Sequence, residues 1–386
     1  MSLAFEFATA SRIIFGAGRL REIGPLAKQF GRRALVVTGR DPGRAEPLLV
    51  AMRASGVEAC LYTTAGEPDV GTVVKGVAQA KSARCDTVIS FGGGSAIDAG
   101  KAIAAMMTNE GDLVDYLEVI GRGKALEKPA APFLAIPTTA GTGSEVTRNS
   151  VLASPEHHVK VSLRSPLMLA RIALVDPELT YGLPAGITAS TGLDALTQVI
   201  EPYVCSRTNP MTDSLCCEGI RRAAKALPIA CANGHDAAAR EDMAVASLFG
   251  GLALANAGLG AVHGFAGPIG GMFPAPHGAI CAALLPYVME INLRALRERN
   301  QTSDSLCRYD TVAKLVTGSP TASADDGVAW VHRLVKDLKI PSLRVYSINS
   351  QHADELVDKS AKASSMKANP IVLTREEMQE ILKRAL

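Results

Sequence analysis

The hydrophobic pattern of the chain changes near Pro184, and this change constrains the fold more than any other feature. Before that point, short runs that we expect to form buried strands, at residues 34–38 (ALVVT), 59–63 (ACLYT) and 87–91 (TVISF), alternate with amphipathic helical segments, and residues 159–163 add a shorter strand. Strands that alternate with helices in this way form a parallel sheet with helices on its faces. After Pro184, apolar residues recur only at the spacing of a helix. The pattern therefore predicts an α/β domain over residues 1–183 and an all-helical domain over residues 184–386.

The charge balance gives no reason to expect a nucleic-acid partner. The 40 basic and 38 acidic residues leave a formal net charge of +2, and the chain contains no block of Lys and Arg. The eight cysteines include no CxxC pair, which favours buried thiols in a reducing compartment over a disulfide framework. The N-terminus lacks the basic start and apolar run of a secretion signal. We therefore expect a cytoplasmic protein.

One uncharged stretch resembles a membrane segment in hydropathy alone. Residues 244–289 contain no Asp, Glu, Lys or Arg. The same stretch contains four prolines, two histidines and many glycines, which suit a kinked, buried helical core better than a membrane span. We expect it to form the interior of the second domain, without membrane association.

A glycine-rich loop at residues 91–101 (FGGGSAIDAGK) follows a predicted strand and opens a predicted helix. Gly93 and Gly94 allow the backbone to approach a pyrophosphate, and the helix start offers free N–H groups. Ser95 adds a hydroxyl donor, and Asp98 could reach a ribose hydroxyl. The alternative is a strand-to-helix turn that binds nothing. The loop is not a Walker motif, because Lys101 comes too late and no Ser or Thr follows it.

A second loop, residues 136–147, also leaves a predicted strand. Thr138, Thr139 and Thr142 lie in it beside several glycines. These hydroxyls suit a ribose–phosphate or nicotinamide contact at the carboxyl edge of a parallel sheet. Equally, they could cap the local backbone of a Thr/Gly-rich turn.

A possible metal site involves three segments of the second domain. Asp194 and Gln198 are four residues apart on a predicted helix and share a face. His263 lies in the uncharged stretch, and His277 begins the next predicted helix. One carboxylate and two imidazoles could bind a divalent ion. Alternatively, the histidines are hydrogen-bonded core residues and Asp194 only caps or pairs.

Taken together, these segments resemble the iron-containing, or group III, alcohol dehydrogenase family. The match runs nearly from end to end. It consists of Phe15-Gly16, the loop 92–101, residues 137–145 (PTTAGTGSE), 176–179 (DPEL), 192–197 (GLDALT), 262–264 (VHG), 276–278 (PHG) and Asn369-Pro370.

The resemblance implies a dehydroquinate synthase-like architecture and a hydride transfer between NAD(P) and a small alcohol or aldehyde in a cleft between the domains. It also implies a divalent ion, Fe²⁺ or Zn²⁺, that polarises the substrate oxygen, and we expect a homodimer. Asp194, His263 and His277, the implied catalytic residues, match three of the family's four metal ligands. The residues matching its dinucleotide contacts are Gly93, Gly94, Ser95, Thr138, Thr139 and Thr142, together with Asp98, Lys160 and Leu179.

Two positions depart from the family pattern. Gln198 stands where the family usually has the fourth ligand, a histidine, and an amide oxygen is a weaker and harder donor than imidazole. We therefore expect weaker iron binding. Gly267 stands where the family often has a second histidine implicated in proton relay. The metal identity and the proton path are thus both open.

The coenzyme preference depends on the end of the strand at residues 34–38. In many relatives this strand is followed by an aspartate that binds the adenosine ribose, whereas this chain continues with Gly39 and Arg40. The absent carboxylate and the added guanidinium suit a 2′-phosphate, so we expect NADPH to be accepted in preference to NADH. The alternative is that Arg40 is a solvated loop residue.

Three other functions compete with an alcohol dehydrogenase. A lyase resembling dehydroquinate synthase would need basic residues around the metal, but the segment containing His263 and His277 is uncharged. A metal-free reductase resembling maleylacetate reductase would lack the helix aspartate, which is present here as Asp194. A nucleotide-binding protein without catalysis is suggested only by the two missing histidines. The substrate stays unidentified, although Gly264, Phe265 and Gly267 suggest a roomy apolar pocket.

Overall fold

Strands and helices alternate through the first half of the computed structural model, which describes residues 4–157 and 159–386. A unit formed by Ala8–Thr139 and Gly143–Tyr181 contains this half. Its elements are, in chain order, β1 (Ile13–Phe15), α1 (Ile23–Lys28), β2 (Arg33–Thr38), α2 (Glu46–Ala54), β3 (Glu58–Thr63), α3 (Val70–Ser82), β4 (Thr87–Gly92), α4 (Gly94–Thr108), α5 (Leu113–Tyr116), β5 (Phe133–Pro137), β6 (Asn149–Ser154), β7 (Val159–Arg164) and β8 (Ile172–Val175).

Six parallel strands form the central sheet of this unit, in the order β1-β8-β5-β4-β2-β3. The chain runs from β2 outward to β3 and then returns to β4 on the other side of β2. The strand order therefore reverses between β2 and β4. Open parallel sheets bind ligands beyond the carboxyl ends of the strands at such a reversal. The α/β fold expected for this half is confirmed, and Gly39 and Gly93 directly follow the two strands at the reversal.

Burial along the strands reflects their place in the sheet. All residues of β4, β5 and β8 are buried, as in a parallel sheet that is covered on both faces. Residues 59–63, an apolar run expected to form a buried strand, lie instead in β3, which is an edge strand and largely exposed. The expected strand at residues 159–163 lies in β7, which pairs antiparallel with β6 outside the main sheet.

The second unit is helical and is formed by residues 4–7, Ala140–Thr142 and Gly182–Leu386. The main part of this unit begins at Gly182. Two short segments from the N-terminal half of the sequence also belong to it. Its helices are α6 (Ala185–Val204), α7 (Pro210–Ala232), α8 (Ala237–Asn256), α9 (Ala261–Met272), α10 (His277–Arg299), α11 (Asp304–Thr317), α12 (Ala324–Asp337), α13 (Ala353–Ala361) and α14 (Arg375–Ala385).

The uncharged stretch forms the interior of this unit. Within the described residues, α10 is long and apolar enough to cross a membrane, and α8 with α9 passes the same test as a pair bent by 95°. The apolar window of α10 is 83% buried inside the protein. Both α10 and the bent pair contribute to one continuous hydrophobic core. Packing within the unit accounts for their apolar character.

Candidate functional site

The glycine-rich loop turns from β4 directly into the amino end of α4. Gly93 has an extended backbone (φ −74°, ψ −173°) and precedes α4, and within the described residues no side-chain cap is made to the first N–H groups of this helix. These N–H groups therefore remain available to an anion. Gly93, Gly94 and Ser95 are all partly exposed, as a binding loop requires.

The glycines of this loop allow close approach of neighbouring segments. A Cβ on Gly92 would lie 2.6 Å from the Cβ of Ala96 and 3.4 Å from the backbone nitrogen of Gly39. A Cβ on Gly93 would lie 3.4 Å from the side chain of Thr139. The loops after β2, β4 and β5 therefore meet at one edge of the sheet, which is the geometry expected of a dinucleotide site.

A buried lysine links α4 to the loop after β5. The Lys101 ammonium group is fully buried and donates to the carbonyl oxygens of Ser144 (2.7 Å) and Asn149 (2.6 Å) and to the Thr147 hydroxyl (2.9 Å). Burial lowers the pKa of Lys101 to about 8, although Asp98 and Glu145 oppose this shift. Burial also raises the pKa of Glu145 to about 7. Lys101 thus holds the loop in place instead of contacting a phosphate as a Walker lysine does.

Asp98 belongs to the same arrangement. Its two carboxylate oxygens accept from the Ser144 hydroxyl and from the backbone N–H of Val151 (3.1 Å), and Lys101 lies 3.9 Å away. These contacts make Asp98 a link between α4, the loop and β6. The predicted contact of Asp98 with a ribose stays a prediction.

The remaining predicted coenzyme residues lie on several segments. Thr138 is buried at the end of β5, and its N–H donates to Gly92 (2.9 Å), while Thr142 is partly exposed in the segment that joins the helical unit. Lys160 on β7 forms an ion pair with Glu67 at 3.4 Å.

The other three predicted coenzyme residues are Gly39 and Arg40, which directly follow β2, and Leu179, which is hydrogen-bonded to a residue after β2. Gly39 has open space around it, since no described residue other than its two chain neighbours lies within 4 Å of an added Cβ. The exposed Arg40 donates to the Ala65 carbonyl oxygen at 3.1 Å from Nη2. The carbonyl oxygen of Leu179 accepts from Arg44, which follows β2 (3.0 Å). The position of Arg40 at the strand reversal is compatible with the predicted 2′-phosphate contact.

Three helices of the second unit bring the candidate metal ligands together. Asp194 lies on α6, His263 on α9 and His277 on α10. Asp194 Oδ1 is 3.4 Å from His263 Nε2 and 3.8 Å from His277 Nε2. Cys281, one turn after His277, has its Sγ 3.9 Å and 3.7 Å from the same two nitrogens. The four donor atoms lie within 4.8 Å of one another.

Unpartnered oxygens show that these residues fit a cation. Asp194 Oδ1 and Gln198 Oε1 are buried and have no hydrogen-bond partner within the described part of the chain. An unpaired buried oxygen costs free energy unless a donor or a cation compensates it. The Asp194 oxygen, two imidazoles and a thiol form a donor set typical of a transition-metal or zinc site.

A carboxylate outside the predicted set orients His263. Glu201 Oε2 accepts from His263 Nδ1 at 2.6 Å, and Glu201 Oε1 accepts from the Val262 N–H at 2.7 Å. When Nδ1 carries the proton, Nε2 presents its lone pair to Asp194 and Cys281. Carboxylates commonly fix metal-binding histidines in this way. A Cβ on Gly260 would lie only 2.8 Å from the Glu201 carboxylate, so a side chain at this position would displace Glu201.

The charges of the cluster favour a cation. Although burial opposes its charged form, Cys281 and Asp194 raise the pKa of His277 to about 9. The pKa of His263 is likewise raised well above its ordinary value against burial, by Cys281, Asp194 and Glu201. Burial opposes the ionised form of Asp194, but the two histidines lower its pKa. The site therefore attracts positive charge, which either protons or a metal ion can supply.

Sequence reasoning missed Cys281 and Glu201, although their spacing carried a signal. Cys281 follows His277 by four residues, and Glu201 follows Asp194 by seven, so each shares a helical face with a predicted ligand. Among the residues expected to line a pocket, Phe265 is instead fully buried in the core, and a Cβ on Gly264 would lie 2.8 Å from Met366. Only Gly267 has open space around it.

Comparison with known proteins gives consistent results along the whole chain. Residues 10–177 match the family described as iron-containing alcohol dehydrogenase, and residues 188–386 match the C-terminal region of the Fe-containing alcohol dehydrogenase family. Alcohol dehydrogenase 4 of Schizosaccharomyces pombe is 35% identical over 381 residues, which cover 97% of this chain and 87% of that protein. The NAD-dependent methanol dehydrogenase of Bacillus methanolicus is 35% identical over 384 residues, 97% of each chain. A solved structure of 1,3-propanediol oxidoreductase has a TM-score of 0.92 and 33% identity, covering 100% of both chains.

Proposed function

Since the chain belongs to the iron-containing alcohol dehydrogenase family, we propose that it exchanges a hydride between NAD(P) and a small alcohol or aldehyde at a divalent ion bound by Asp194, His263 and His277. Its class as an alcohol dehydrogenase follows from similarity over the full length. The observation that carries the metal proposal is the buried, unpartnered Asp194 Oδ1, which lies 3.4 Å and 3.8 Å from the Nε2 atoms of His263 and His277.

Each residue of the cluster has a distinct task in this proposal. A divalent ion held by Asp194, His263 and His277 would supply Lewis-acid chemistry, the polarisation of the substrate oxygen. Asp194 contributes the anionic donor, and its charge is compensated by a cation. His263 contributes Nε2 because Glu201 holds its Nδ1 proton. His277 contributes a second imidazole and is the most exposed of the three, with 33% of its side chain accessible.

The coenzyme is assigned to the edge of the parallel sheet. The uncapped N–H groups at the start of α4 suit the pyrophosphate, and Gly93, Gly94 and Ser95 leave room for it. Lys101 and Asp98 hold the loop after β5 against α4, which orients Thr138 and Thr139. Arg40 is proposed to meet the adenosine 2′-phosphate, so the preferred coenzyme is NADPH.

A metal-depletion experiment tests the function. Wild-type protein is dialysed against a chelator, reloaded with Zn²⁺ or Fe²⁺ and assayed for turnover. The substrates are short primary alcohols and diols, because the relatives include a methanol dehydrogenase and a 1,3-propanediol dehydrogenase. We expect activity to return with the metal, and Asp194→Asn to lose both bound metal and turnover while keeping coenzyme binding. Asp242→Asn, a carboxylate paired with Arg222 elsewhere in the unit, is the matched control. Full metal content and turnover in Asp194→Asn would contradict the proposal.

The rival reactions are less compatible with the site. A lyase acting on a sugar phosphate needs cationic side chains near the metal, but residues 244–289, which contain both histidines, include no Lys or Arg. A metal-free reductase has no use for the buried, unpartnered carboxylate of Asp194. A binding protein without catalysis predicts no turnover with any alcohol, which the same assay measures.

Two finer assignments complete the proposal. We propose a reducing, cytoplasmic location, which is supported by the eight cysteines, all of them free thiols. We also propose a homodimer, to be tested by sedimentation at several protein concentrations.

A further inference from the structure

Cys281 lies at a position where a metal ion would meet it. The Cys281 side chain is fully buried, and its Sγ is 3.9 Å from His263 Nε2 and 3.7 Å from His277 Nε2. A tetrahedral ion with bonds of roughly 2.0–2.3 Å separates nitrogen, oxygen and sulfur donors by roughly 3.3–3.6 Å. The four distances from Cys281 Sγ and Asp194 Oδ1 to the two imidazole nitrogens are 3.4–3.9 Å, which is within about half an ångström of these values, and all four donor atoms lie within 4.8 Å of one another. A modest contraction of the four side chains would complete the coordination.

Gln198 is a poor candidate for the fourth ligand. Its side chain donates a hydrogen bond to the Asp194 carboxylate. A neutral amide oxygen adds no negative charge and is a weak donor toward soft ions. By contrast, one carboxylate and one thiolate together neutralise a divalent cation, which lowers the cost of burying it.

We propose that Cys281, as a thiolate, is the fourth protein ligand of the metal centre, and that Gln198 serves only to orient Asp194. This inference rests on the metal centre of the proposed function and deepens it. Binding breaks the S–H bond of Cys281, forms one sulfur–metal bond and releases that proton to solvent, and any proton on the Nε2 atom of His263 or His277 is released in the same way, so that charge and atoms balance.

The proposed ligand set determines which metal the site prefers. Thiolate ligands select Zn²⁺ among the divalent ions that imidazole and carboxylate also accept, whereas Fe²⁺ is bound less tightly by such a set. The chain thereby replaces an imidazole on α6 with a sulfur on α10, one turn after His277. We expect the purified enzyme to bind Zn²⁺ in preference to Fe²⁺.

Cobalt spectroscopy tests the sulfur–metal bond directly. Full-length protein is stripped of metal and loaded with Co²⁺, and the near-ultraviolet spectrum is recorded. We expect a thiolate-to-cobalt charge-transfer band in the wild type and its loss in both Cys281→Ser and Cys281→Ala. The visible d–d bands of bound Co²⁺ should remain in both variants. Cys216→Ala, another fully buried thiol in the helical unit, is the matched control and should keep the charge-transfer band.

A rescue experiment separates ligation from a packing effect. Cys281→Ala should weaken Zn²⁺ binding at least about tenfold, since even residues that only support a ligand cost 10–100-fold. Adding Gln198→His to Cys281→Ala should restore the affinity, because the imidazole supplies the missing donor from α6. Gln198→Ala alone should weaken Zn²⁺ binding less than Cys281→Ala does. Circular dichroism establishes that each variant is folded.

The outcomes distinguish this inference from the proposed function. Co²⁺ bound with d–d bands but without a charge-transfer band in the wild type would overturn Cys281 as a ligand and leave the metal centre intact. Unchanged Zn²⁺ affinity in Cys281→Ala would do the same. Failure of the wild type to bind either Co²⁺ or Zn²⁺ would overturn the metal centre itself.

Discussion

Glu201 controls which nitrogen of His263 is free to bind a cation. Its carboxylate accepts from His263 Nδ1 at 2.6 Å, so in the neutral imidazole Nε2 is the nitrogen that is free to bind a metal ion. In Glu201→Gln, the amide can donate to Nδ1 and so place the proton on Nε2, where it blocks ligation. We predict that this variant stays folded and binds Zn²⁺ about 10–100-fold more weakly than the wild type, as measured by competition with a chromogenic chelator.

The control for this prediction is Glu290→Gln on α10. Glu290 pairs with Arg384 and His332 on the outside of the same unit and has 41% of its side chain exposed. Removing its charge should leave Zn²⁺ affinity within twofold of the wild type. Equal affinities in Glu201→Gln and the wild type would show that the carboxylate does not set the state of His263.

We predict that Gly39 and Arg40 determine the preference of the enzyme for NADPH over NADH. Gly39 has open space around it, so Gly39→Asp introduces a carboxylate without a clash. That charge should repel a 2′-phosphate, and Arg40→Ala should remove the cation that attracts it. Because a charged hydrogen bond contributes about 1.5–3 kcal/mol, each change should lower the NADPH-to-NADH ratio of kcat/KM by about tenfold or more.

Arg53→Ala provides the comparison for coenzyme preference. Arg53 is an exposed cation on α2, with 73% of its side chain accessible, and it is not among the predicted coenzyme residues. Its removal should leave the ratio unchanged. A wild-type enzyme that strongly prefers NADH would contradict the role given to Arg40.

The residues of the site differ in how far the sequence predicts them. Asp194, His263 and His277 are found because each lies in a short recognisable segment. Cys281 and Glu201 become apparent only when α6, α9 and α10 are packed, since each is an ordinary residue on its own helix. Spacing within one helix can be read from a sequence, whereas convergence of three helices depends on their packing.

At the scale of elements, the amino end of α4 is the part on which coenzyme binding depends. Gly94→Val places a branched side chain in the first turn, where the pyrophosphate must approach the N–H groups. We predict at least a hundredfold loss of affinity for both NADH and NADPH, measured by coenzyme fluorescence. Gly186→Val, at the start of α6 with open space around it, should bind coenzyme normally. Wild-type affinity in a folded Gly94→Val variant would contradict the loop assignment.

Helix α9 shows why some elements escape prediction. Its sequence AVHGFAGPIGGM contains four glycines and Pro268, all unfavourable in a helix. Tertiary contacts stabilise it instead. Glu201 accepts from the Val262 N–H, and Asn369 accepts from the Ala261 N–H at 3.0 Å, so two distant side chains satisfy its first turn. The matched segment Asn369-Pro370 thereby has a structural role that local propensity cannot reveal.

At the scale of the whole molecule, the change of pattern near Pro184 predicts the two-part organisation but not its details. Residues 4–7 and Ala140–Thr142 group with the helical unit although they lie in the N-terminal half of the sequence. A Cβ on Gly141 would lie 2.9 Å from Thr191 on α6. The glycine therefore allows the segment Ala140–Thr142 to pack closely against this helix. Neither segment has a hydrophobic period of its own, and only the folded chain shows where it belongs.

The pH dependence of stability should reflect buried groups more than surface charge. The formal net charge is only +2, so overall repulsion changes little near neutral pH. Burial raises the pKa of Glu145 to about 7 from an ordinary value of 4.5. Because the folded state holds this proton more tightly, Glu145 contributes stability below about pH 4.5 that is lost as the pH rises through about 7. The opposite holds for Lys101, whose contribution is lost as the pH falls through about 8.

Glu145→Gln should therefore flatten the decline in stability between pH 5 and pH 7.5. The amide keeps the shape of the side chain but never ionises, so the cost of a buried carboxylate at higher pH disappears. We predict that the difference in Tm between the two pH values shrinks by several degrees, which corresponds to a change on the order of 1–3 kcal/mol. Glu156→Gln, an exposed carboxylate after β6, should reproduce the wild-type difference. If Glu145→Gln and the wild type lose the same Tm over this range, then Glu145 does not carry a proton at neutral pH, and its buried negative charge is fully balanced by Lys101.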